Sequence, residues 1–458
     1  MSGRPAPAKW VLTTLGQACN LNGGGIQTGP FGTQLHAHDY VANGVPCVMP
    51  ENIGDNRVVE EGISRVSKSD ANRLSRYALR ADDIVCSRRG DVTRRALIRD
   101  RENGWLCGTG CLRVRPGDSG TDARYLSYYL AAPPTREWIT RHAHGATMPN
   151  LNTAILSALP ITLPPHEEQR AIAAILGALD DKIDLNRRMS KTLEAIARAL
   201  FKSWFVDFDP VRAKAEGRAP GLPKEIADLF PADFEESDQG EIPAGWRESP
   251  FAETVEITGG GTPKTSTPEY WGGDVPWFSV ADAADERTPW CIYTTRRITK
   301  LGVTESAAVV VPERTTIISA RGTVGRIVLT GVPMAFNQSC YALRRPHEAG
   351  YLLYFSTKHL ADELKRHAHG SVFDTITRDT LSTVSVPVAP APVVRAFESI
   401  VEAPMERIRV ALRDSDTLAQ LRDALLPKLI SGEIRVPQAK RFIAAAASGT
   451  QGGPAPIK

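Results

Sequence analysis

Arg141-His142-Ala143-His144-Gly145 recurs letter for letter as Arg366-His367-Ala368-His369-Gly370, 225 positions later. Five matched letters prove little alone, but the offset then holds without a gap. Leu156 falls with Leu381, Pro165 with Pro390, Arg170 with Arg395, Ile175 with Ile400, Ile183 with Ile408, Leu193 with Leu418 and Leu200 with Leu425. Self-similarity on this scale marks a duplicated structural unit. Upstream the copies match at shifted offsets. Trp10 precedes Gly23-Gly24-Gly25 by the same interval as Trp246 precedes Gly259-Gly260-Gly261, and Ile84 to Val92 aligns with Thr316 to Val324. The second pair shares an apolar strand that turns through Ser-x-Arg-Gly.

Each copy is a globular head followed by a long helix. The heads hold short strand-like runs such as Val45 to Met49, Ala96 to Ile98, Ala307 to Val311 and Arg326 to Leu329, punctuated by Gly and Pro. Over 166–205 the apolar residues Ile172, Leu176, Leu179, Ile183, Leu193 and Leu200 fall in steps of three and four, interrupted at Asn186 and Ser190. In the second copy Phe397, Val401, Ile408, Ala411, Leu418 and Leu425 form the same stripe. Pro404 predicts a kink or break in that helix and Pro427 an early end. Forty helical residues span about 60 Å, and two such rods with matched stripes are expected to pack together. The expected fold class is α+β: two similar heads separated by two long helices packed as an antiparallel coiled coil, with an internal pseudo-twofold. The parts are expected at 1–160 (first head), 161–210 (first helix), 211–245 (a Pro-, Asp- and Glu-rich connector), 246–388 (second head), 389–436 (second helix) and 437–458 (a mobile tail).

A chain of 458 residues with 42% hydrophobic residues has the apolar surface for several cores and is not a disordered protein. It has no uncharged apolar run of membrane-spanning length, and Met1 to Lys9 is polar and Pro-rich, so a soluble cytoplasmic protein is expected. Seven cysteines without a Cys-x-x-Cys pair suggest neither a disulfide framework nor a zinc ribbon, and Cys107 and Cys111 read as buried apolar thiols. The net charge of +3 is too small to announce a nucleic-acid partner. Its distribution says more: residues 1–165 carry 19 basic against 14 acidic residues, whereas 166–245 carry 11 against 16. Arginine makes up 41 of the 55 basic residues, which suits phosphate and guanine contacts but is equally what a GC-rich genome produces.

Signatures of nucleotide-binding folds and of serine hydrolases are absent, so no catalytic residue and no cofactor is expected. The triple glycines lack a helix-opening context and read as turns. Three His-x-His pairs (His36/His38, His142/His144, His367/His369) have strand spacing that suits a metal, but no carboxylate or cysteine accompanies the duplicated pairs. A structural corner or phosphate contact is the preferred reading, and no metal is expected. Arg88, Arg89, Arg94 and Arg95 form the densest basic cluster, with Arg321 and Arg326 as repeat partners, and are candidates for charge-assisted contacts to DNA. The alternative is a solvated face. Gln27, Gln34 and Lys264, near the glycine-rich loops, are further candidates for reading base edges.

The run Leu163-Pro164-Pro165-His166-Glu167-Glu168-Gln169-Arg170, with Ile175 to Ile183 and Ala199-Leu200-Phe201-Lys202-Ser203-Trp204-Phe205 to Phe208, resembles the central region of type I restriction-modification specificity subunits. Gly29-Pro30-Phe31-Gly32 and Gly261-Thr262-Pro263 with Tyr270-Trp271-Gly272-Gly273 resemble the starts of that family's two target-recognition domains. The resemblance implies a non-catalytic protein that reads a bipartite site in double-stranded DNA, one half-site per head. It also implies that the helices dock two DNA adenine methyltransferase subunits, through which motor-nuclease subunits join, and that the chain binds no S-adenosylmethionine. The departures lie in the second copy, where Ala391-Pro392-Val393-Val394 replaces His166-Glu167-Glu168-Gln169. A catalytic protein, a coiled-coil scaffold that never reads sequence, and a nuclease-free methylation system remain as alternatives.

Overall fold

The computed structural model describes residues 9–20, 23–31, 34–117, 120–145, 148–237, 240–283, 288–345, 349–367 and 375–447. The chain forms two compact units, Met1–Lys182 with Thr417–Lys458, and Ile183–Asp416.

The duplication read in the sequence is a duplication of sheet topology. The first head holds a five-stranded sheet in the order Gly25–Thr28, Cys111–Arg115, Ile84–Ser87, Arg95–Leu97, Asp55–Asn56. The second repeats the order with Glu256–Gly259, Cys340–Arg344, Thr316–Ser319, Ile327–Thr330 and Trp290–Cys291. In both, the last strand joins parallel and the others antiparallel. The central strands are buried on both faces and are accordingly uninterrupted apolar runs, Ile84-Val85-Cys86 and Ile317-Ile318. Each head is closed by a two-stranded ribbon that pairs its entry with its exit, Val11–Thr14 with Pro160–Leu163 and Arg247–Pro250 with Ser385–Val388.

Both long helices are 40 residues, His166–Phe205 and Ala391–Ile430. In the first unit Ile172, Leu176 and Leu179 are buried in one cluster with Leu425, Leu426, Leu429 and Ile430, and Asp180 meets Arg422. In the second unit Phe201, Trp204 and Phe205 are buried with Phe397, Val401, Met405 and Ile408, and Asn186 meets Ser415. Within each unit rising numbers on one helix face falling numbers on the other, so the pairing is antiparallel. Burying each such side chain contributes roughly 1.5–3 kcal/mol. That sum holds the helices far more firmly than propensity does.

Each head is tied to the helix segments of its own unit by polar contacts. Tyr128 donates to Asp180 at 2.5 Å, and Arg422 bonds both Asp180 (2.7 Å) and Asp55 (2.8 Å). In the second unit Arg314 pairs with Glu402, Lys358 with Glu194, and Tyr351 donates to Glu406. Glu398 caps the helix Gly350–His367 by accepting from the backbone N–H groups of Tyr351 and Leu352.

Three expectations are corrected. Neither Pro404 nor Pro427 breaks the second helix. The carbonyl that Pro404 leaves without its amide partner belongs to Ile400, a residue exposed on that face, where water can replace the bond, while Val401 and Met405 beside it are clamped in the core. The segment 437–458 does not begin as a mobile tail. Val436–Ala447 is a helix whose Ala439 is fully buried against the first unit, and 448–458 lies outside the described residues. The connector 211–245 is not merely a linker, since Val211, Phe230 and the hairpin Phe234–Ser237 with Gly240–Pro243 pack as part of the second unit.

Candidate nucleic-acid interface

The Ser-x-Arg-Gly turns are built alike in both heads. Ser87 Oγ donates to the carbonyl of Arg89 at 2.8 Å, and Ser319 Oγ donates to that of Thr323 at 2.5 Å. Gly90 and Gly322 take φ of +74° and +79°, which a side chain would strain. Each turn is fastened by a bridge to the segment behind it, Arg89 to Asn150 and Arg321 to Thr375, and the two anchors Asn150 and Thr375 lie 225 positions apart. The side chains of Arg89 and Arg321 are exposed, and no acceptor among the described residues engages them. Arg88 is half-buried. Its Nε donates to the Leu151 carbonyl at 3.2 Å and its guanidinium lies 5.4 Å from the exposed ring of Phe31, which joins this turn to the Gly-Pro-Phe motif.

Gln27 and Gln34 belong to one polar network. Arg113 donates to Gln27 Oε1 at 2.5 Å and to the Arg76 carbonyl, Arg76 contacts the Tyr77 hydroxyl, and that hydroxyl donates to Gln34 Oε1 at 2.6 Å. Arg73 donates to the Gln34 backbone carbonyl at 2.8 Å. Each amide oxygen thus already accepts one internal hydrogen bond, which fixes the orientation of its N–H donors. Sequence reasoning missed Arg73, Arg76 and Arg113 because nothing in the local pattern brings them to Gln27.

In the second head exposed Lys264 is held in a loop pinned by two indoles. Trp271 Nε1 donates to the Lys264 carbonyl at 3.3 Å and Trp277 Nε1 to that of Gly261 at 3.0 Å. Arg296 lies 3.5 Å above the centre of the Trp271 ring. The glycines are turn and close-packing elements: a Cβ at Gly24 would stand 2.1 Å from the Cys19 carbonyl oxygen, and one at Gly261 2.2 Å from that of Ala307.

Not every predicted arginine is available. Arg95 is turned inward, donating to the Ser127 carbonyl at 2.9 Å and pairing with Asp55, the residue directly opposite it on the neighbouring strand. A cross-strand carboxylate holds it as an internal ion pair rather than a DNA contact. Arg94 and Arg326 are half-buried beside the turns. On the helices Ile172, Leu176, Leu179, Phe397, Val401, Ile408 and Leu425 are buried, and Leu193, Leu200 and Leu418 half-buried, in the clusters of their own units, and Ile183 is buried as well. The exposed large apolar side chains on the same helices are Leu185, Ile196, Ile400 and Val410.

The rings of His36 and His38 stack at 5.3 Å, and His142 stacks on Trp138 at 3.9 Å. The side chain of His367 and the whole of His369 lie outside the described residues. Among the described residues no group of three or more His, Cys, Asp or Glu is placed to hold a metal. All seven cysteines are buried and free, and burial pushes the thiols of Cys19, Cys47 and Cys86 up to about 12.

Residues 7–195 and 243–393 each match the family described as type I restriction modification DNA specificity domain. The chain belongs to this type I restriction-modification specificity family. The first match spans the first head and runs on into the helix His166–Phe205, and the second spans the second head, so this specificity subunit carries two target-recognition domains. It is 28% identical over 441 residues to the type I restriction enzyme HindI specificity subunit of Haemophilus influenzae, covering 86% of this chain and 95% of that one. It is 22% identical over 407 residues to the MjaIX specificity subunit of Methanocaldococcus jannaschii, covering 87% and 89%. The solved S subunit of a type I restriction-modification system from M. genitalium shares the fold, with a TM-score of 0.56 at 16% identity over 94% of this chain and 97% of that one. Among the described residues no helix is long and apolar enough to cross a membrane.

Proposed function

We propose that this specificity subunit reads a bipartite site in double-stranded DNA, one half-site per head, and performs no chemistry itself. The observation that carries the reading is the repetition, on the same five-stranded frame, of a Ser-x-Arg-Gly turn presenting an exposed arginine. Two heads with one frame suit two contacts of one kind with a duplex, and the arginines suit phosphate and guanine. The working parts are the first head (1–160), the second head (246–388) and the helices between them. Because displacement along DNA also rotates a head about the axis, once per about 10 base pairs, a stiff helical spacer makes the gap between half-sites part of the code.

The helices dock two DNA adenine methyltransferase subunits, to which motor-nuclease subunits attach, in the cytoplasm. Exposed Leu185, Ile196, Ile400 and Val410 support a role for the helix surface in docking. Adenine is extruded and methylated by those partners. Exchanging residues 10–150 for another first head, with methylome sequencing of cells carrying the partners, tests the reading. One half-site should change and the other persist, whereas a scaffold that never reads sequence leaves both unchanged. The purified chain should neither bind S-adenosylmethionine nor modify DNA.

A further inference from the structure

The two heads share more than their five-stranded sheets. In the first, Val45–Val48 pairs antiparallel with Arg65–Val66 so that Pro46 faces Arg65, whose Nη1 donates to the carbonyl of Gly44 at 3.4 Å. In the second, Trp271–Phe278 pairs antiparallel with Arg296–Ile298 so that Pro276 faces Arg297, whose Nε donates to the carbonyl of Gly273 at 3.0 Å. Arg65 and Arg297 thus take the same register against Pro46 and Pro276, although Arg65–Val66 is an inner strand of its four-stranded sheet and Arg296–Ile298 an edge strand of its own.

One position earlier the heads part. The first head has Ser64, whose carbonyl accepts from Cys47. The second has Arg296, opposite Trp277. The Arg296 side chain is exposed, its guanidinium lies 3.5 Å from the Trp271 centroid and 5.4 Å from that of Trp277, and the two indoles meet edge to face at 5.1 Å. Among the described residues no acceptor takes a hydrogen bond from it.

We propose that Arg296, laid on the indole of Trp271, reads a guanine edge in the half-site recognised by the second head. The inference rests on the DNA-reading function proposed above and names a residue for it. A guanidinium stacked on a ring is fixed in its plane, so its fork meets the O6 and N7 acceptors of guanine with little further loss of freedom. Arg296 opens the edge strand of a four-stranded sheet, in the order Arg296–Ile298, Trp271–Phe278, Met334–Phe336, Val310–Val311, so no further strand pairs with its outer side. A shared frame whose tip residue differs, Ser64 in one head and Arg296 in the other, is what two heads reading different half-sites require.

The test is methylome sequencing of the complete complex carrying Arg296→Ala or Arg296→Lys. Being exposed, the position tolerates both changes, and an unaltered melting temperature verifies the fold. Discrimination at one base of a single half-site should drop roughly ten- to a hundred-fold, the other half-site should stay intact, and lysine should not restore it. An unchanged motif overturns the proposal. So does a uniform loss across all sequences that lysine rescues and whose salt slope falls by about one, the mark of a phosphate contact. Replacing residues 246–388 separates the two levels: if that exchange alters a half-site while Arg296→Ala does not, only the role of Arg296 fails, and if neither alters it, the DNA-reading function fails.

Discussion

The side-chain amide of Asn186 donates to the carbonyl of Ala411 at 3.3 Å, across the same 225 positions that separate the two sequence copies. In an antiparallel pair a residue meets its own repeat counterpart only where the two copies exchange roles. Asn186 also reaches Ser415 Oγ at 3.3 Å, is 1% exposed, and keeps an Oδ1 that no described residue satisfies. A buried Asn in an apolar seam favours one register at a cost in stability.

Asn186→Leu should therefore raise stability by about 1 kcal/mol, since a buried unsatisfied polar atom disappears. Thermal unfolding reads the change as a higher melting temperature. A lower one would mean that the amide holds the seam rather than merely setting its register.

Arg422→Ala should be severely destabilising to the first unit, by about 3 kcal/mol, because it leaves the carboxylates of Asp55 and Asp180 without their shared cation. Burial pushes the Asp55 carboxyl up, but the guanidinium groups of Arg422 and Arg95 outweigh it and hold Asp55 below its usual value. A lowered pKa gives stability that is present above the unfolded value and lost as pH falls through the folded one. Urea midpoints from pH 6 downward should thus fall in the wild type and fall less steeply in Arg422→Ala.

Glu398 carries the opposite sign. Burial pushes its carboxyl up to about 7, the helix-capping bonds from Tyr351 and Leu352 notwithstanding. Between the ordinary glutamate value and about 7 the folded chain keeps a proton that the unfolded chain has released, so stability declines as pH rises. Glu398→Gln retains an acceptor for the cap and should flatten that slope. An identical slope in wild type and variant, measured by urea unfolding at pH 5 and pH 8, would remove Glu398 as its source.

Arg89→Ala and Arg321→Ala should each weaken DNA binding by the complete complex and reduce its salt slope by about one if the contact is to phosphate. Arg95→Ala should act on unfolding instead, because that side chain is engaged by Asp55 and Ser127. A filter-binding titration against salt beside a melting curve separates the two classes.

Lengthening both helices by about one turn, roughly four residues, should change the number of unread base pairs and leave both half-sites alone. A methylome in which the half-sites themselves change would contradict the spacer mechanism.

The duplication, the two heads and the paired helices were legible because they repeat: the offset joining Leu156 to Leu381 and Leu200 to Leu425, and the three-four stripe, are properties of the linear chain. The limits of that reading are equally physical. Pro404 reads as a helix breaker, and only the burial of Val401 and Met405 beside an exposed Ile400 shows why the helix continues. Arg95 sits among candidate DNA contacts in sequence, and only strand register sets it opposite Asp55. The network from Gln27 through Arg113 to Gln34, and the Arg296 guanidinium on Trp271, join residues distant in the chain. Periodicity and repetition, which need no partner to be recognised, were fixed by the sequence alone. Which charged side chains are consumed by the fold and which stay exposed was decided by tertiary structure, because an arginine's availability depends on the carboxylate or ring brought beside it.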